Sequence, residues 1–286
     1  AQAILAQAVL AETTLAEEAN SFILRRPRPD AARMRSLIKL AAAAAFAQQA
    51  AAECPTDCPA KCPLPEEIQS DYVKQNFNLS AFWGVYYELA KHDSTQPCYD
   101  VFGKHVCVYC VRSVKSLNTD GNTYKDLFSL KVFHQADAIC DLEFNITERP
   151  GAFLGHWRSS SPFNPGLSNI RNTVVDVGHQ PNGTYSWSLE FQCRDGAPGK
   201  GINFAAVNFY HKNPIVDDAE FEDMKARLEA RGLGWIMKTS PGLTKIDQAS
   251  CAHGPARYPA TDAKPAWCGQ GGLSKLLTAG GESLVV

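Results

Sequence analysis

Between Phe82 and about Tyr210 apolar and polar side chains alternate in short runs, the period-two pattern of strands with one face on a core. The runs are residues 83–91, 105–116, 124–133, 138–147, 152–158, 173–177, 185–192 and 202–210. Turn formers separate them: Asp120-Gly121, Arg149-Pro150-Gly151, Pro181-Asn182-Gly183, and Asp195-Gly196 with Pro198-Gly199. Eight such runs predict an all-β, up-and-down barrel closed on itself, with an interior sized for one small ligand. The period then changes. Over residues 217–231 Phe221, Met224 and Leu228 share one helical face. Asp217 or Asp218 caps that helix, Glu220 and Glu222 suit its start, Arg227 and Arg231 suit its end, and Gly232 stops it. Ahead of the first strand, residues 76–87 read as a turn of helix plugging one end of the barrel. Phe77 and Phe82 are the plugs, Gly84 lets the backbone pass close beneath a neighbour, and Tyr86 supplies a flat ring at the floor.

Composition narrows the setting. The 286 residues, 45% of them hydrophobic, support one main domain with a sizeable core. A net charge of -2 without a long basic run argues against nucleic acid as a partner. Ten cysteines with few metal-like clusters point to disulfides and to an oxidising compartment, not the cytosol. Residues 1–52 read as a targeting segment: Met34-Arg35 and Lys39 precede a short apolar run, and small residues end at Ala52. That run is far shorter than the roughly 20 residues a bilayer span requires. Residues 1–33 are either the first half of a two-part leader or upstream of a start at Met34. Next comes a Cys/Pro-rich segment, residues 53–65, with Cys54, Cys58 and Cys62 each followed by proline. Three thiols in one stretch fall short of a four-ligand zinc site, so a disulfide clasp is the expectation and no metal is assigned. The barrel and helix occupy residues 66–255, and a Gly/Pro-rich flexible tail occupies 256–286.

The sequence Asn76-Phe77 followed by Gly84-Val85-Tyr86-Tyr87 resembles the opening motif of the lipocalins, and within them the lipocalin domain of the violaxanthin de-epoxidase family. The resemblance implies an eight-stranded barrel with a single helix packed on its outside. It implies a clasp between the motif's aromatic ring and a cation after the last strand. Here Tyr86 stands where the family has Trp, and His211-Lys212 where it has Arg, a weaker version of the same cation-π pair. It also implies that Cys251, after the helix, is tied back to Cys98, Cys107 or Cys110. Cys140 and Cys193 are further disulfide candidates. Cys107-Val108-Tyr109-Cys110 lies in an alternating strand without the helix start that activates a redox pair, so structural bridges are expected there.

The same resemblance implies a function: reductive opening of a xanthophyll epoxide with ascorbate as co-substrate, in a thylakoid lumen and with peripheral contact to its membrane. Opening an epoxide requires a carboxylic acid that delivers a proton as the C–O bond breaks. Asp100 is retained from one acidic stretch of the family, with Gly103 replacing its second acid, and Ser186 stands before Trp187 where the family has its other acid. Asp176 or Asp195 would substitute only by pointing into the barrel. Trp187, Tyr185, Tyr109 and Phe191 are the candidate rings for holding the guest, a xanthophyll or other carotenoid. Two readings stay open: a de-epoxidase, or a non-catalytic carrier of a carotenoid or other lipophilic ligand in a lumen or outside the cell. Binding demands only apolar lining and one or two polar anchors, which is less than catalysis demands.

Overall fold

The computed structural model describes residues 58–93, 96, 98–101, 104–131, 138–157, 167–199, 201–239 and 242–251. The leader, the start of the Cys/Pro-rich segment and the tail expected from the sequence lie outside these residues. Three short helices come first: α1 (Pro65–Ile68), α2 (Asp71–Asn76) and α3 (Leu79–Phe82). Ser70 caps α2 by accepting from the Val73 amide, and Asn78 caps α3 by accepting from the Ser80 amide. Strands follow as β1 (Gly84–His92), β2 (Tyr99–Val101), β3 (Lys104–Val106), β4 (Tyr109–Leu117), β5 (Thr123–Lys131) and β6 (Ala138–Ile146). They continue as β7 (Ala152–Trp157), β8 (Leu167–His179), β9 (Tyr185–Asp195) and β10 (Ile202–His211).

β1 and β4 to β10 pair in chain order, each antiparallel to the next, and β10 pairs back onto β1. The eight strands therefore close into the expected up-and-down barrel, which has no open edge in its wall. β2 and β3 form a separate hairpin at the open end. Two strands differ from the sequence reading. The run 105–116 is split between β3 and β4, where Cys110 has a left-handed φ of 52°. β8 is much longer than residues 173–177, because its first half, Leu167-Ser168-Asn169-Ile170-Arg171-Asn172, is too polar to stand out as a strand.

The helix also runs differently past its end. α4 (Asp218–Leu228) is capped by Asp217, whose side chain accepts from the Glu220 amide. Gly232, at φ 75°, breaks it as expected, but the chain resumes helix at once as α5 (Gly234–Lys238) and then adds β11 (Thr244–Lys245) to β1. Phe221, Met224, Leu228, Leu233, Trp235 and Ile236 pack on the outer faces of β1, β9 and β10 through Leu89, Leu189, Phe191, Val207 and Phe209. A second core fills the floor, where Phe77, Phe82, Tyr86, Tyr124, Phe144, Phe153 and Tyr185 meet. The barrel wall is thus buried on both faces along the helix side.

Three disulfides between described residues bind this frame: Cys62–Cys193, Cys98–Cys107 and Cys110–Cys251. The last selects Cys110 among the three partners open to Cys251, and the first ties the segment before α1 to β9. The Cys140 side chain lies outside the description. Such bridges belong to an extracellular or lumenal setting. Non-reducing peptide mapping is expected to return these three linked pairs, and a free Cys251 would overturn the connectivity. Replacing Cys62 and Cys193 by Ser is expected to lower the unfolding free energy by roughly 2–5 kcal/mol, because the bridge closes a long loop in the unfolded chain.

Candidate ligand-binding site

Alternation along β4, β5, β9 and β10 points Ser113, Lys115, Asp126, Ser188, Glu190, Asn208 and Tyr210 into the barrel. Cross-barrel bonds fix that direction. β4 and β9 are separated by β1 and β10 in the wall, yet Lys115 Nζ donates to Glu190 Oε2 at 3.2 Å. β5 and β8 are separated by β6 and β7, yet Asn172 Nδ2 donates to the Tyr124 hydroxyl at 3.2 Å. Contacts of that length between non-neighbouring strands cross the interior.

Lys115 is the hub. Its ammonium is wholly buried, 2.9 Å from Asp126 Oδ2, and sits over the rings of Phe82 at 5.2 Å and Tyr210 at 4.6 Å. Ser113 Oγ donates to Asp126 at 2.6 Å, Ser188 Oγ donates to Glu190 at 2.8 Å, and Asn172 Nδ2 donates to Glu190 at 2.9 Å. Burial alone would pull the Lys115 ammonium down, but the two carboxylates and their hydrogen bonds outweigh it and hold the ammonium above its usual value. Burial next to these carboxylates pushes the Tyr124 and Tyr210 hydroxyls far up, so both stay neutral.

A second polar group lies nearer the open end. A bulge at Leu89 shifts β1 by one residue between Glu88, opposite Tyr210, and Ala90, opposite Phe209. Leu89 and Ala90 both join the outer core. Lys91 then turns inward opposite Asn208, where strict alternation would have placed Ala90. Glu88 accepts from Asn208 Nδ2 and, at 3.4 Å, from Gln96 Nε2, which also donates to Asp93 at 3.2 Å. Burial pushes the Glu88 carboxyl well up from the glutamate range, against the pull of Lys91 and the two amide donors. Burial likewise pulls the Lys91 ammonium down. Toward the mouth Ile170, Phe204 and Ala206 form a separate inward apolar group, with Gln192 beside Ala206, while the inward Val111, Phe128 and Leu142 join the floor cluster, Leu142 opposite Asp126 and Phe128 opposite Ser113. Ile170 and Phe204 pack together although β9 separates their strands, which again places them inside.

The residues singled out from sequence are distributed differently. Trp187 and Phe191 do not line the interior; Ser188, Glu190 and Gln192 occupy the inward positions of β9. Trp187 packs outside, with the Arg227 guanidinium 5.5 Å over its ring, and Phe191 meets Trp235 edge-on. The Trp187 indole lies so close to Gly178 that a Cβ there would come within 2.2 Å of the ring nitrogen. Tyr185 belongs to the floor, stacked on Phe77, and its hydroxyl accepts from the Asn78 amide at 2.6 Å. Tyr109 is half-buried at the start of β4. Asp176 also faces outward, paired with Arg227 at 3.2 Å, so it is not aimed at an interior guest. Asp195 pairs with Arg171 at the rim, and the Asp100 backbone lies opposite His105 in the hairpin closed by Cys98–Cys107. The clasp is in place, with Lys212 Nζ 5.3 Å from the Tyr86 ring centre. Gly84, at φ 125°, runs beneath it, and a Cβ there would sit 3.9 Å from the lysine tip. Glu88, Lys115, Asp126 and Glu190 escaped the sequence reading, although charged residues in phase with the apolar side of a strand were the available signal.

No family model matches the chain, and no curated protein matches it. Among solved structures it is similar to apocrustacyanin C1, at 12% identity over 67% of this chain and 89% of that one, with a TM-score of 0.47. It is similar to lobster apocrustacyanin A1, at 11% identity over 67% of this chain and 89% of that one, with a TM-score of 0.46. It is similar also to insecticyanin from the tobacco hornworm Manduca sexta, at 14% identity over 66% and 87%, with a TM-score of 0.45.

Removing the hub leaves two buried carboxylates facing each other, so Lys115→Met is expected to cost about 3–5 kcal/mol in denaturant unfolding. A loss below about 1 kcal/mol would show that the cluster is hydrated in solution. Glu88 acts in the opposite sense. The folded chain holds its proton at pH values where the unfolded chain has released it, so this group makes stability fall as pH rises from the glutamate range toward neutrality. Glu88→Gln is expected to flatten that part of the stability profile, and identical slopes for the two proteins would remove the assignment.

Proposed function

We propose that this chain is a lipocalin-like carrier that holds one lipophilic small molecule in the mouth half of its barrel. The observation that supports the reading is the division of the interior into two levels. Near the floor, charged and aromatic side chains pack closely around Lys115, and residues such as Tyr86, Ser113, Tyr124 and Glu190 are wholly buried. Toward the mouth Ile170, Phe204 and Ala206 form an apolar group, bounded by the polar Glu88–Asn208 group and by Gln192. An apolar body with one polar end fits that order of surfaces. The opening-motif resemblance makes a xanthophyll end group the leading guest, and a lumen such as the thylakoid's the leading compartment. The disulfides agree with that choice and equally with an extracellular one.

The enzymatic reading, de-epoxidation with ascorbate as co-substrate, is the less favoured. Asp176 is engaged by Arg227 on the outer face, Ser186 cannot deliver a proton, and Asp126 and Glu190 are committed to Lys115. Titrating zeaxanthin onto the protein is expected to give saturable binding of one guest per chain, read by tryptophan fluorescence and by a shift of the pigment's absorption. Non-saturable partitioning would overturn the carrier. Incubation with violaxanthin and ascorbate at about pH 5, where an acid catalyst would be protonated, is expected to leave the pigment unchanged. Formation of zeaxanthin would instead establish the enzyme.

A further inference from the structure

Glu88 has an unused face. Its Oε1 accepts from Asn208 and from Gln96, while its Oε2 has no hydrogen-bond partner. The amide oxygens of the two donors, Asn208 Oδ1 and Gln96 Oε1, have none either. Glu88 is wholly buried and Asn208 and Gln96 nearly so, which removes bulk solvent as the missing partner. A buried polar atom left in this state costs about 1–3 kcal/mol, and three around one carboxyl call for an explanation. Elsewhere in the interior, around Lys115, the carboxylates are well supplied with donors. The Tyr86 hydroxyl and the amide oxygens of Asn172 and Gln192 also lack partners, but Glu88 holds the unpartnered carboxyl oxygen, with two unpartnered amide oxygens on its own donors.

We propose that Glu88 is the anchor for the hydroxyl end of a lipophilic alcohol, donating from a protonated Oε2 to the guest's oxygen while Asn208 Oδ1 accepts the guest's proton. A hydroxyl is the small group that both accepts and donates, so it completes both atoms at once. Gln96, which donates to Oε1 at 3.4 Å and to Asp93 at 3.2 Å, leaves Oε2 open to the incoming group. The groups facing Glu88 are Lys91 and Asp93 from its own segment and Tyr210 from β10, with Lys115, Asp126 and Glu190 beyond the Tyr210 ring. Burial keeps the proton on Glu88 against Lys91, and the proton is lost as pH rises. This inference rests on the carrier reading and names the guest's chemical class.

Zeaxanthin and β-carotene share a polyene and differ by the two ring hydroxyls, so the ratio of their affinities isolates the anchor. Wild type is expected to bind zeaxanthin about tenfold more tightly, the worth of one or two buried neutral hydrogen bonds. The preference should fade as pH rises above neutrality. Glu88→Gln, whose amide still donates, should keep the preference and lose its pH dependence, while Glu88→Leu should abolish it. Independently of any pigment, the infrared carbonyl stretch of a protonated buried carboxyl should be present in wild type and missing in Glu88→Gln. Equal affinity for both pigments, a preference that grows with pH, or absence of that infrared band would overturn the anchor and leave the carrier standing. Failure of both pigments to bind wild type would overturn both.

Discussion

The contact on which the rest of the fold depends is the ammonium of Lys115 held between Asp126 and Glu190 across the middle of the barrel. Its three members come from β4, β5 and β9, so it links β9 to two strands with which β9 shares no backbone hydrogen bonds. Desolvating three charges is costly, and the geometry offsets that cost with Ser113, Ser188 and Asn172, which supply donors to the carboxylate oxygens. The floor rings of Phe82 and Tyr210 close over the ammonium. The cluster therefore fixes the distance between walls and separates the floor from the mouth.

The outer side of the wall follows a different rule. On β9 the apolar residues Trp187, Leu189, Phe191 and Cys193 face the helices and the Cys62 bridge, while polar residues face inward. This reverses the usual polarity of a barrel strand. It is stable because α4, α5 and the turn between them cover that face, and because Arg227 spans Asp176 and the Trp187 ring. Lys212 over Tyr86 joins the ends of β10 and β1 at the floor, beside Gly84, whose φ of 125° favours glycine.

The mouth and the floor thus have separate chemistry within one barrel. The bulge at Leu89 is the hinge of that division, because it sends two apolar residues outward in succession and brings Lys91 in beside Asn208. Without it the position above Glu88 would be an alanine, and the polar group at the base of the mouth would lose its cation.

What the sequence determined by itself was the order of strands, their closure into a barrel, the plug of Phe77 and Phe82, the capped helix at Asp217 and the Tyr86–Lys212 clasp. The strands, the plug and the helix follow from period, turn chemistry and local motif, which are properties of neighbours in the chain; the clasp was implied by the resemblance of the opening motif. What only the tertiary structure decided was which face of each strand looks inward. Alternation gives two faces but does not say which is the interior when both are buried, so the rings of Trp187 and Phe191 pointed to a cavity they do not line. The bulge at Leu89 and the union of Lys115 with Asp126 and Glu190 were likewise set in space, since a one-residue slip and a bond across a barrel leave no periodic trace in the sequence.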